Sequence, residues 1–97
     1  MKIFLDDFRV APDNTWTAIR DPYEVKKLLS SGIVKEISFD HDLGLAITGY
    51  DVMVFLEELV FTGKVKAPVV LVHSANSGAY GKMAQCATNI NNKRKRD

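Results

Sequence analysis

The chain has 97 residues, of which 46% are hydrophobic and 26% charged, with a net charge of +1 and a single cysteine, Cys86. That allows one domain with a thin core and excludes an internal disulfide. No stretch approaches the roughly 20 apolar residues of a membrane span, and the apolar run in Met-Lys-Ile-Phe-Leu-Asp-Asp is too short for a signal peptide, so a cytoplasmic protein is expected. Four of the 13 basic residues are Lys93, Arg94, Lys95 and Arg96, which leaves the rest of the chain slightly acidic. Residues 1–90 read as one domain and 91–97 as a basic tail. Such a tail suits either contact with nucleic acid or a solvated, frayed terminus.

Lys2 to Asp6 is a short apolar run ending in a carboxylate. Ile3, Phe4 and Leu5 are all bulky, as in a strand buried on both faces. Arg9 to Arg20, with Pro12 and Asn14, reads as a loop with Trp16 as its packing anchor. Asp21-Pro22-Tyr23-Glu24 is a helix start, with a capping aspartate, proline at the first helical position and an acid placed to reach back. Val25, Leu28 and Leu29 form its apolar stripe, and Gly32 is its stop. Ile33 to Asp40 reads as a second strand.

Leu43 to Thr48 is a loop, and Gly49 opens a second helix striped by Val52, Phe55, Leu56, Leu59 and Val60, closed by Gly63. Val69-Val70-Leu71-Val72 has the β-branched character of a buried parallel strand. Tyr80, Met83, Ala84 and Ala87 outline a third helix that fades before the basic tail. The pattern is β-α-β-α-β-α: a small three-layer α/β fold around a short parallel sheet. Strand orders 2-1-3 and 1-2-3 both fit right-handed crossovers. With so few elements one sheet face stays partly bare, which makes a homodimer a secondary expectation.

Parallel strands joined by crossovers end at one edge, where α/β sheets carry their functional crevice. All three apolar runs end in polar clusters: Asp6-Asp7-Phe8-Arg9, Asp40-His41-Asp42 and His73-Ser74-Ala75-Asn76. Four gathered carboxylates repel unless a divalent cation, Arg9 or a protonated histidine compensates them. Oxygen ligands favour Mg²⁺ or Mn²⁺, while the histidines would let Mn²⁺ or Zn²⁺ compete. Asp6, Asp7, Asp40 and Asp42 are the candidate ligands. Strand alternation places Asp40 and Asp42 on one side with His41 facing away, and lets only one of Asp6 and Asp7 reach the same point.

His41 and His73 are the natural acid and base near neutral pH, or else structural hydrogen-bonders. Arg9 suits a phosphate clamp or a pairing with Asp7. Ser74 suits a hydrogen-bonding role. Asn76 suits a ligand contact or the cap of the third helix. Thr48 suits a ligand contact or the start of the second helix, and Asp51 is read as serving that start. Tyr50 suits base stacking or core packing.

Leu5-Asp6-Asp7-Phe8-Arg9, Ser38-Phe39-Asp40-His41-Asp42-Leu43-Gly44, Thr48-Gly49-Tyr50-Asp51 and His73-Ser74-Ala75-Asn76 together resemble the cyclic-phosphate processing receiver-like family, small proteins of bacteria and their phages. The resemblance runs over nearly the whole chain. It implies a receiver-like, Rossmann-like fold and a role in handling cyclic phosphates or phosphate-bearing nucleotide ends. It matches Asp6 and Asp7 to the acidic pair that holds Mg²⁺ in receivers, Asp40 to the phospho-accepting aspartate, and Ser74 to the switch hydroxyl. The chain is too short for five strand–helix units, shows no match to the lysine after the last receiver strand, and adds His41 and His73. These departures point to phosphoester chemistry instead of a phosphorelay.

The expected activity is metal-dependent cleavage or transfer at a cyclic phosphate on a nucleotide or RNA end. Asp6, Asp7, Asp40 and Asp42 would be ligands, and His41, His73, Asp40 and Arg9 catalytic. Ser74, Asn76, Thr48 and Tyr50 would touch the substrate. The rivals are a non-catalytic nucleotide- or partner-binding module, and an interaction protein that works through its tail.

Overall fold

The computed structural model describes residues 1–96. Ile3, Phe4 and Leu5 form strand β1 (Lys2–Leu5), which has a parallel neighbour on each side. One neighbour is β3 (Glu36–Phe39), the shorter core of the predicted second strand, and β4 (Val69–Val72) follows beyond it. The other is β2 (Thr17–Ile19), inside the stretch expected to be a loop. β2 escapes a hydrophobicity pattern because it is three residues long, lies at the sheet edge and buries only Ile19. The sheet order is β2-β1-β3-β4, so the three predicted strands lie side by side in chain order.

The helices begin and end where local chemistry dictates. α1 (Pro22–Ser31) starts at Asp21, whose carboxylate accepts the Tyr23 N–H, and stops at Gly32 with φ +81°. Glu24 makes no reciprocal bond among the described residues. α2 (Gly49–Phe61) starts with a full capping box between Thr48 and Asp51. α3 (Ser77–Arg96) does not fade before the basic residues but carries them in its last turn. Lys and Arg are good helix formers, and cations complement the negative end of the helix dipole. Asp97, the last residue of the expected tail, lies outside the described residues.

α1 packs on α2 and α2 on α3 as a single layer. Ile3, Leu5, Ile37, Phe39 and Val70 share one core cluster with Leu29, Met53, Leu56, Met83 and Ile90. Each such side chain removed from water contributes about 1.5–3 kcal/mol. Phe4, Ser38 and Leu71 are in register and point the other way. No described helix covers that side. The third layer expected from the sequence is a loop, residues 6–16, together with two rings that flank Phe4. Trp16 meets Phe4 edge-on at 6.2 Å between centroids, and His73 stacks on it at 4.1 Å. Leu71 stays 43% exposed.

The outer edge of β4 is closed from α3. The Asn91 amide accepts the Val70 N–H and donates to the Val70 carbonyl, both at 2.9 Å, as a neighbouring strand would. Among the described residues no helix is long and apolar enough to cross a membrane.

Candidate functional site

The sheet's hydrogen-bond ladder continues one step beyond the strands. Asp6 N–H donates to the Ile19 carbonyl at 3.3 Å, Asp40 N–H to Leu5 at 3.0 Å and His73 N–H to Phe39 at 3.0 Å. Extending the register sets Arg20, Asp6, Asp40 and His73 side by side in one row at the carboxyl edge. By alternation they belong to the helix-free side of the sheet. The convergence read from the sequence thus has a physical origin in strand register.

Asp6 is almost fully buried, and both of its oxygens are occupied. Oδ1 accepts the N–H groups of Phe8 and Arg9, each at 2.7 Å. Oδ2 lies 2.9 Å from His73 Nε2. Burial pushes the Asp6 carboxyl up, but the Arg9 and Phe8 N–H groups and His73 outweigh it, and the net shift is downward. His73 Nδ1 lies 2.6 Å from Ser38 Oγ. Burial is the main cause holding the His73 pKa below its ordinary value, against the pull of Asp6. A neutral ring satisfies both contacts in one tautomer: Nε2–H donates to Asp6, and the Ser38 hydroxyl donates to Nδ1. Arg9 adds a further tie, donating from Nη1 to the His73 carbonyl at 2.6 Å.

Asp7 joins the same centre. The turn imposed by the Asp6 Oδ1 bonds brings it over, so that Asp6, Asp7 and Asp40 each place a carboxylate oxygen within 4.8 Å of the others. The expectation that only one of the Asp6–Asp7 pair could reach the spot is corrected by that turn. Asp7 Oδ2 also lies against Gly44, 3.2 Å from where a Cβ would stand. Asp40 has its pKa raised, by burial first and by the Asp6 charge second. A raised carboxylate in an all-oxygen cluster is what a hard divalent cation would relieve, so these residues fit Mg²⁺ or Mn²⁺.

Asp42 stands outside that cluster. Its carboxylate is 2.8 Å from His41 Nδ1 and is two-thirds exposed. The bond to His41 holds its pKa down. The chain leaves extended geometry after Asp40, so the alternation expected to pair Asp40 with Asp42 does not operate. His41 and Asp42 form a second group with Asn76, whose amide nitrogen is 3.4 Å from His41 Nδ1 and from both Asp42 oxygens. Asn76 also accepts the Ala79 N–H at 3.1 Å at the start of α3.

The other candidates serve helix starts, a turn and the core. Ser74 Oγ accepts the Asn76 N–H at 3.0 Å. Thr48 and Asp51 cap α2, and Tyr50 packs against the core with Lys82 Nζ 4.5 Å from its ring centroid. Gly49 is fixed by space, since a Cβ there would lie 1.5 Å from the Asp40 carbonyl oxygen. That contact seats the start of α2 directly on the Asp40 strand end. Two residues of the site were not singled out from the sequence, Ser38 and Arg20. Ser38 sits inside a strand, and Arg20 enters the row only because β2 exists.

A parallel sheet ordered β2-β1-β3-β4, with two acids after its first strand and a third after its central one, defines a receiver-type α/β protein; the order is the opening of the 2-1-3-4-5 arrangement. The chain belongs to the cyclic-phosphate processing receiver domain family, whose model matches residues 1–89. No curated protein and no solved structure matches the chain.

Proposed function

We propose that this chain is a metal-dependent phosphoesterase that opens a cyclic phosphate on a nucleotide or RNA end. The observation behind this reading is the acidic trio of Asp6, Asp7 and Asp40 with a carboxylate-held histidine, His41, next in the chain. A bound Mg²⁺ or Mn²⁺ would supply Lewis acidity toward phosphoryl oxygens. Asp7 and Asp40 are the ligands in this reading, with Asp6 assisting. Arg9 neutralises charge that develops on the phosphate oxygens. His41, with Nδ1 held by Asp42, keeps Nε2 for proton transfer as water adds to phosphorus and the ring ester bond breaks. His73 has both nitrogens engaged and serves to position Asp6.

The test is a phosphorus NMR time course of a 2′,3′-cyclic nucleotide with chelator-treated protein, before and after adding Mg²⁺ or Mn²⁺. Metal-dependent opening of the ring is expected, and His41→Ala should slow it roughly 10²–10⁴-fold, the usual worth of a general acid or base. An unchanged phosphorus signal with near-stoichiometric protein would favour the second reading, a nucleotide-binding module without turnover. The full engagement of Asp6 and His73 by protein groups speaks for that second reading.

A further inference from the structure

A cleft of about 560 Å³ opens beside the acidic centre, lined by Asp6, Phe8, Arg9, Asn14, Ala18 and Arg20 among others. Asp6 is a wall common to both. We propose that this cleft seats the nucleoside that carries the cyclic phosphate, with the base on Phe8 and the 5′-phosphate on Arg20, so that the ligand is the terminal nucleotide of a single-stranded RNA. The inference rests on the phosphoesterase or nucleotide-binding reading of the acidic centre.

Four observations carry it. Phe8 is 88% exposed and makes no ring contact among the described residues. An uncovered aromatic face beside a phosphate site is a stacking platform for a base. Arg20 makes no ion pair or hydrogen bond among the described residues, yet sits in register with Asp6, one strand spacing of about 4.8 Å away. Its guanidinium is thus an unpaired cation in the wall of the cleft that Asp6 also lines, suited to a second phosphate. Asp13, the other acid of the cleft, is taken by Thr15, whose N–H donates to it at 2.8 Å, so it leaves the arginine unpaired. The Asn14 amide also makes no hydrogen bond among the described residues and is available to a base edge. The volume lies within the roughly 300–1,000 Å³ of small-ligand sites and suits one nucleotide, not a duplex.

Three probes separate the contributions on the full chain with Mg²⁺: glycerol 1,2-cyclic phosphate, a nucleoside 2′,3′-cyclic phosphate, and the same nucleoside bearing a 5′-phosphate as well. Each successive group is expected to tighten binding about 5-fold or more, as stacking and phosphate pairing do. Phe8→Ala should abolish the gain from the base. Arg20→Ala should abolish the gain from the 5′-phosphate and flatten its salt dependence. Phe8→Ala should leave the affinities for glycerol cyclic phosphate and Mg²⁺ unchanged. If the base and the 5′-phosphate add nothing in the wild type, or if the variants keep both gains, the cleft is not the nucleoside seat while the reading of the acidic centre stands. Should none of the three probes bind, both fall.

Discussion

His73 stays neutral in the folded chain because burial penalises the imidazolium more than Asp6 rewards it, and Asp6 stays ionised because two N–H groups and His73 outweigh its own burial. Both groups therefore have folded pKa values below their ordinary values of 6.5 and 3.8. A depressed value means the unfolded chain takes up protons first. Their stabilisation is present in full above pH 6.5 and is lost stepwise as acid is added, His73 first and Asp6 last. The denaturant midpoint of the metal-free protein is expected to fall between pH 7.5 and 5.5 and again toward pH 3, with the first fall missing in His73→Gln. A midpoint flat across that range would refute the neutral-ring assignment. The strand-end carboxylates and both histidines were legible because bulky apolar runs ending in polar residues mark the sheet edge. Ser38 was not, since a serine inside a strand gives no sign of which ring it will meet. Asp42 was misplaced because its position rested on strand geometry that ends at Asp40.

At the scale of the elements, the join between β3 and α2 carries the site. Gly49 N–H donates to the His41 carbonyl at 2.9 Å, while its missing side chain lets the Asp40 carbonyl approach. A Cβ at 1.5 Å from backbone is not accommodated by a rotamer change. Gly49→Ala is expected to displace the strand end or the helix start. The measurable outcome is weakened Mg²⁺ binding together with a destabilisation of about 1–3 kcal/mol, the range for overpacking. Wild-type metal affinity and stability in this variant would show that the approach is not tight in solution. The starts of α1 and α2 were readable because capping chemistry is local. β2 was not, because its pairing depends on β1, fourteen residues earlier by register. The continuation of α3 was also hidden, because a basic run satisfies a solvated helix as well as it does a frayed end.

For the whole molecule, one side of the sheet is left to a loop and the far edge is closed by Asn91. The helix that carries Asn91 also sets a distance. α3 begins just after Asn76 and has 20 residues, so it spans about 30 Å, close to the longest dimension of 33 Å. Its basic last turn therefore lies at the opposite end from the acidic centre. Replacing Arg94, Lys95 and Arg96 with Gln is expected to leave mononucleotide affinity unchanged at physiological salt. A several-fold loss in an isothermal titration would show that the two ends communicate. The reason they should not is the screening length of the solvent, about 8 Å at 0.15 M ionic strength. Several such lengths separate the four cations from the carboxylate cluster, so to a small ligand the two ends act as electrically separate bodies. Only a strand long enough to run the length of α3 can experience both at once.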